Sequence, residues 1–218
     1  MRISVAIDGP AGAGKSTIAK LVGKKFNLMY INTGAMYRAV ALVAKERDVL
    51  PNEIDKLIKI IDEMEMHFEI DDLILNGENI QNKITLPEIS SIVSNYASIK
   101  EVREKLVLLQ RKLSEKFDVI MDGRDIGTVV LIDSKFKFFL TATAEERANR
   151  RYKELIARGI DVNYNDLLND IIKRDLIDST REVDPLKKAD DAIEIDSSNY
   201  NINEVCEIIC NYIENNLK

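Results

Sequence analysis

The run Gly9-Pro10-Ala11-Gly12-Ala13-Gly14-Lys15-Ser16 constrains this chain more than any other feature: a glycine, four residues, then Gly-Lys-Ser. It stands between an apolar run from Arg2 to Ile7, stopped by Asp8, and a segment in which Ile18, Ala19, Leu21 and Val22 recur at helical spacing. A second strand-like piece, Leu28 to Ile31, follows. Strand, loop, helix and strand within about thirty residues make a βαβ unit. In that setting the glycines let a phosphate approach the backbone, and the N–H groups at the helix start converge on its oxygens. Lys15 adds a point charge for the terminal phosphates. Ser16 offers a hydroxyl to the Mg²⁺ that accompanies a nucleoside triphosphate, with Thr17 beside it.

The rest of the chain alternates helical and strand-like patterns. Ala35 to Lys45 and Ile54 to Met64 are helical in period, whereas Met66, Phe68 and Ile70 alternate with polar residues, as do Leu73 and Leu75 down to Asn76-Gly77. This predicts a small antiparallel hairpin between helices, an α+β insertion. Helices are expected over Leu86 to Tyr96, Val102 to Leu113, Glu145 to Ile156, Tyr164 to Ile177 and Glu204 to Ile213. Phe117 to Met121, Phe136 to Leu140 and Ala192 to Ile195 are short enough to be buried strands of a central parallel sheet.

With 218 residues the chain fits one domain, and no low-complexity linker divides it. No stretch reaches the ~20 apolar residues of a membrane span, and the first residues lead straight into a strand pattern, so the expected compartment is the cytoplasm. A formal net charge of −6 argues against non-specific nucleic-acid binding. It leaves room for a small phosphorylated ligand held by a local cluster of bases. Cys206 and Cys210, four apart on a helical pattern, read as ordinary thiols, and His67, the sole histidine, has no partner at catalytic or metal spacing. A GTPase-like switch is disfavoured because Asn82-Lys83-Ile84-Thr85 lacks the terminal Asp that would pair with guanine.

Three further motifs carry a resemblance. Thr33-Gly34-Ala35-Met36-Tyr37-Arg38 resembles the acceptor-phosphate element of nucleoside monophosphate kinases. Together with Asp122-Gly123-Arg124-Asp125-Ile126-Gly127-Thr128 and the set Arg174, Asp175, Asp178, Arg181, Pro185 and Leu186, it resembles the bacterial cytidylate kinases from Val5 to the last helix. The resemblance implies an α/β, P-loop NTPase fold of the adenylate kinase kind: three layers, a five-stranded parallel sheet and one domain spanning 1–218. Within it the core would be 1–35, 98–146 and 165–218, the acceptor-binding region 36–97 and the helical lid 147–164. The insertion over about Met66 to Ile80 matches the enlarged acceptor region of the bacterial branch. Thr33 replaces the more frequent Ser, and Ser16 stands where some members have Gly; both keep the chemistry.

The resemblance also implies a reaction, ATP with CMP or dCMP giving ADP and CDP or dCDP, with Mg²⁺, in a monomer. Gly9 through Thr17 would hold ATP, with Lys15 catalytic. Thr33, Tyr37 and Arg38 would serve the acceptor phosphate side, and Ser94, Arg103 and Asp125 the cytosine. Arg174 and Asp178 would contact the sugar, Arg181 and Arg124 the acceptor phosphate, and Arg147, Arg150 and Arg151 would close over ATP as lid arginines. Cytosine offers a donor at N4 beside acceptors at N3 and O2, which suits two acceptor side chains and one donor; uracil reverses that edge.

The spacing of Arg174, Asp178 and Arg181 puts all three on one helix side, either as a ligand face or as a solvated ion-pair ladder. Asp122, ending an apolar run, either orients a water on Mg²⁺ or caps the turn. The alternatives to a CMP kinase are a kinase for UMP, AMP or a metabolite alcohol, and a non-catalytic nucleotide-binding regulator. The former is separated by the base-reading residues, the latter by turnover.

Overall fold

The computed structural model describes residues 2–198 and 200–217. Five strands form a parallel sheet: β1 (Ser4–Asp8), β2 (Met29–Asn32), and, numbered after the three strands of the insertion, β6 (Val119–Gly123), β7 (Phe136–Thr141) and β8 (Ile193–Asp196). Their spatial order is β2-β6-β1-β7-β8, with Ser4 level with Val119 and Val5 with Phe136.

Both faces of the sheet are covered, as an all-parallel sheet requires. The period of two divides β1, β2 and β6 between two cores. Ala6, Ile31, Val119 and Met121 face one cluster; Val5, Ile7, Tyr30 and Ile120 face the other. The first is completed by α2 (Thr33–Glu46), α3 (Ile54–Glu63), α5 (Pro87–Ala97) and α6 (Lys100–Lys116) around a four-residue helix, α4 (Gln81–Ile84). The second is completed by α1 (Lys15–Phe26) and α9 (Ile202–Asn216). Two further helices, α7 (Ala144–Ala157) and α8 (Tyr164–Thr180), pack on one another beside the C-terminal ends of the strands.

Local chemistry sets the element ends. Asn32 caps α2 by accepting from the Ala35 N–H at 2.9 Å, and Asn201 and Glu204 form a reciprocal capping box on α9. Among the described residues no helix is long and apolar enough to cross a membrane.

The insertion departs from the expected hairpin. β3 (Met66–Glu69) pairs with β4 (Asp72–Leu75), Phe68 opposite Leu73, as the alternation predicts. Asn76-Gly77 does not end the unit, however. Both residues have positive φ, 49° and 82°, the signature of a type I′ turn, and they lead into a third strand, β5 (Glu78–Asn79).

Two other features lie outside the sequence pattern. A π-helical turn, Ile126–Val130, follows β6 and closes with Leu131 N–H donating to Ile126 C=O at 2.7 Å. Helix α8 ends at Thr180, so Arg181 sits beyond it on extended backbone (φ −59°, ψ 144°). The expectation that Arg174, Asp178 and Arg181 share one helix face therefore holds for the first two only.

Candidate active site

A cleft of about 1210 Å³ lies at the C-terminal ends of β1, β2 and β6, lined by the glycine loop and by α2, α5, α7 and α8. Ligands of open α/β sheets bind at this edge.

The glycine loop is pressed against the sheet. Gly9 has φ +145°, and a Cβ there would stand 2.1 Å from the Leu140 carbonyl oxygen, so no other residue fits. Lys15 is buried, and its Nζ donates to Pro10 C=O at 2.7 Å. Burial lowers its pKa well below the ordinary lysine value, helped by Arg124 and opposed by Asp122. A cation so placed gains from any phosphate that enters.

Asp122 is the hub of the loop's far wall. Its Oδ2 accepts from Ser16 Oγ at 2.8 Å, its Oδ1 from the Tyr30 hydroxyl at 2.7 Å, and its carbonyl from Thr33 Oγ1 at 2.7 Å. The carboxylate is thus aimed at the loop and does not cap its own turn. Ser16 and Asp122 are two hard oxygen donors within hydrogen-bond reach of each other, which suits Mg²⁺. Among the described residues no three His, Cys, Asp or Glu side chains cluster as a dedicated metal cage. The donor set fits an ion completed by phosphate oxygens and water. Gly123 is required here as well: a Cβ would meet Thr33 Oγ1 at 2.7 Å and Ile126 Cδ1 at 2.6 Å.

Cations gather between the loop and α8. Asp178 accepts from Arg124 Nε at 2.8 Å and from Ser94 Oγ at 3.0 Å, with Arg174 Nε 4.0 Å away. Burial acts to raise the Asp178 carboxyl, but Arg124 and Arg174 outweigh it and hold it below the carboxylate range. The arginines are short of counter-charge. Burial, with Arg124 close by, pushes Arg174 down to about 9; burial pushes Arg38 down to about 10. The Nε atoms of both, and the Tyr37 hydroxyl, are buried without a hydrogen-bond partner. Unsatisfied buried donors of this kind call for an anionic ligand.

The remaining wall holds a buried ion network. Arg103 donates from Nη2 to Asp125 Oδ2, from Nε to Asp184 Oδ2 at 2.8 Å and from Nη1 to Ala97 C=O at 3.2 Å, and its guanidinium lies 5.5 Å from the Tyr37 ring centre. Arg181 Nη2 lies 3.5 Å from Asp125 Oδ1, and its Nε donates to Asp184 C=O at 2.7 Å. Burial raises the Asp125 carboxyl, and Arg103 and Arg181 pull it back.

The three lid arginines separate. Arg150 donates to Ser197 Oγ at 3.1 Å and its carbonyl at 2.7 Å; Arg151 reaches Thr85 C=O at 3.1 Å across the cleft. Both line the cleft. Arg147 does not. Only 4% exposed, it donates to the carbonyls of Ala11 (2.9 Å), Ala142 (2.9 Å) and Thr143 (3.2 Å) and to Asp175 Oδ2 (2.6 Å), which fastens the glycine loop to α7 and α8. The expectation of a mobile, catalytic Arg147 is corrected: four acceptors hold its guanidinium behind the loop.

Ser94 donates its hydroxyl to Asp178, which leaves its oxygen lone pairs to accept. Thr33, Tyr37, Arg38, Ser94, Arg103, Arg124, Asp125, Arg174, Asp178 and Arg181 all line one cleft with Ala11 to Thr17. Gly9 and Pro10 support the loop from below.

Sequence reasoning missed Tyr30, Asp8 and Asp184. Asp8 accepts the Ile126 and Gly127 N–H groups at 2.8 and 2.7 Å, which ties β1 to the turn carrying Asp125. Its signal was an acid ending a strand beside the glycine loop. Asp184 and Tyr30 left none. Ser197, Tyr200, Asn201 and the first residues of α9, Ile202 and Asn203, also border the cleft.

A sequence model of the cytidylate kinase family matches residues 5–215. A cytidylate kinase of Clostridium perfringens (strain SM101 / Type A) is 68% identical over 212 residues, covering 97% of this chain and 98% of its own. One of Clostridium acetobutylicum is 64% identical over 213 residues, with 98% of each chain covered. Among solved structures, an uncharacterized protein from Eubacterium ventriosum superposes with a TM-score of 0.54 at 15% identity, covering 99% of each chain, a likeness of fold alone. With the glycine loop, the Asp122 hub and the arginine-lined cleft in one place, and with matches of this extent, the chain belongs to the cytidylate kinase family.

Proposed function

We propose that this chain transfers the terminal phosphoryl group of ATP to CMP or dCMP. The observation that carries the reading is that the Asp125–Arg103 pair, able to face cytosine, shares a cleft with Lys15, Ser16 and Asp122, and that Arg38 and Arg174, whose buried Nε atoms lack a hydrogen-bond partner, line the same cleft. Gly9 to Gly14 and Thr17 cradle the donor phosphates, and Lys15 draws charge from the transferring group. Asp125 accepts from the cytosine amino group and Arg103 donates to N3 or O2. Asp178, held by Ser94 and Arg124, is the acceptor for sugar hydroxyls, with Arg174 beside it. Arg38, Arg124 and Arg181 hold the acceptor phosphate, with Thr33 and Tyr37 completing that side.

The acceptor phosphate is a nucleophile already at neutral pH, so no general base is needed. The barrier is the approach of two polyanions, and the arginines offset it. Arg174 and Arg38, at about 9 and 10, still carry their charge at neutral pH. Ser16, with Asp122 through a water, would hold the Mg²⁺ that accompanies ATP, which would supply positive charge against the triphosphate. Residues 36–97 act as the acceptor-binding region and 147–164 as the lid, supported by the Arg151 to Thr85 contact that spans the two. Arg150 and Arg151 then exclude water from the transfer.

The test is ADP formation from ATP and Mg²⁺ with CMP, dCMP, UMP and AMP as separate acceptors. Turnover with CMP and dCMP far above UMP is the expected result. Equal rates with UMP would keep the kinase and discard the role given to Asp125; no turnover with any acceptor would overturn the reading.

A further inference from the structure

We infer that Asp184 is a positioning residue that sets the CMP-over-UMP preference, by keeping Arg103 and Asp125, already joined through Nη2 and Oδ2, from adding a second bond to each other; the inference rests on the reading of this cleft as a cytosine nucleotide site. Asp184 lies in the loop after α8 with φ +49°, a left-handed conformation that Asp tolerates better than most residues. From there one residue grips two arginines. Its carboxylate takes Arg103 Nε at 2.8 Å, and its carbonyl takes Arg181 Nε at 2.7 Å.

Arg103 is 1% exposed, and each of its three nitrogens is already engaged, by Asp184, Ala97 and Asp125. A guanidinium carries five N–H bonds, so one remains on each terminal nitrogen for a base edge. That spare pair depends on the Nε contact. An arginine and a carboxylate left alone in a buried site prefer two parallel hydrogen bonds. Without the Asp184 carboxylate, Arg103 turns to make that fork with Asp125. It thereby consumes a donor meant for cytosine N3 or O2 and an acceptor position meant for N4. Of the phosphate-side groups, Arg38, Arg124 and Lys15 make no contact with Asp184, and Arg181 is held by its backbone carbonyl, which a change of side chain leaves in place.

Two variants separate this role from simple support of the loop. Asp184→Gly removes the carboxylate and keeps the left-handed backbone; Asp184→Asn keeps an acceptor oxygen and removes the charge. The expected outcome for the Gly variant is a KM for CMP raised about tenfold, the equivalent of one charge-assisted hydrogen bond, with kcat at saturation within about twofold. The ratio of kcat/KM for CMP to that for UMP narrows by a similar factor, and Asn is intermediate. Should the Gly variant not fold, the Asn variant carries the same comparison. A merely structural Asp184 would lower the melting temperature and weaken both nucleotides in parallel, and that result, or an unchanged KM and ratio, overturns the inference. The parent enzyme decides the underlying reading separately: if it does not prefer CMP, that reading fails first and takes the inference with it.

Discussion

The Ser16 hydroxyl donates to Asp122 Oδ2 at 2.8 Å, so the first turn of α1 and the end of β6 meet at the point where a triphosphate's metal would stand. Tyr30 holds the other carboxylate oxygen at 2.7 Å and fixes its plane. Asp122→Asn keeps the shape and loses the charge. Its expected effect is a loss of about 10- to 100-fold in apparent Mg²⁺ affinity measured with ATP, the range seen when groups around a metal are altered. Tyr30→Phe should move the same constant in the same direction by less. Calorimetric titration of Mg²⁺ into protein with ATP, apart from any turnover, reads both; an unchanged Asp122→Asn titration would remove Asp122 from the metal.

Lys15 answers a different question. Its Nζ now leans on Pro10 C=O at 2.7 Å, a contact any bound phosphate can replace. Lys15→Ala should reduce kcat by about 10²-fold or more, the scale found when one donor to a developing charge is lost. The dissociation constant for CMP, whose proposed contacts are Arg38, Arg103, Arg124, Asp125, Arg174, Asp178 and Arg181 and do not include Lys15, should stay within about twofold on the same scale of argument. Single-turnover rates and CMP titration measure the two independently, and a variant with unaltered turnover would end the catalytic role.

The glycine loop and the parallel sheet were legible in the sequence because each is local: a spacing and an apolar run. What stayed hidden depends on chain segments meeting. Arg147 sits within the pattern of Arg150 and Arg151, and nothing in the spacing distinguishes it. Only the fold brings Ala11 C=O and Asp175 to its guanidinium. Tyr30 reads as an ordinary strand residue until β2 is laid beside β6 with Asn32 level with Asp122. Asp184 lies in an irregular stretch with no periodicity, and the i, i+7 arithmetic for Arg181 failed because α8 stops one residue too soon.

The buried position of Arg147 makes a stability prediction in place of a catalytic one. Replacing it by Met keeps much of the volume but strands the Asp175 carboxylate and the Ala11 and Ala142 carbonyls, whereas Thr143 C=O keeps the backbone N–H of residue 147. Loss of one partner of a buried ion pair costs about 3 kcal/mol or more, which urea unfolding would register directly. Asp175 is itself 24% exposed, so water recovers part of that cost. ATP affinity should fall as well, because Ala11 loses its tether, whereas CMP affinity should hold. A variant of parental stability would return Arg147 to the lid.

Asp8 provides a pH dependence whose sign can be worked out. Its carboxyl is buried, and burial pushes it up to about 7, with Asp125 adding to the rise and the N–H groups of Gly127 and Ile126 opposing it. The folded state therefore holds the Asp8 proton more tightly than the unfolded chain, whose carboxyl titrates near 4. Between these values the folded protein binds the extra proton, so the contribution is complete below about 4 and is lost as pH rises through about 7. Asp8→Asn has no such titration, although its amide can accept only one of the two N–H groups and should lower stability by about 1–3 kcal/mol at acidic pH. Urea midpoints of parent and variant at pH 5, 6, 7 and 8 should consequently converge as pH rises. Curves that stay parallel across that range would show that Asp8 remains ionised throughout, held by the two backbone donors of the turn that carries Asp125.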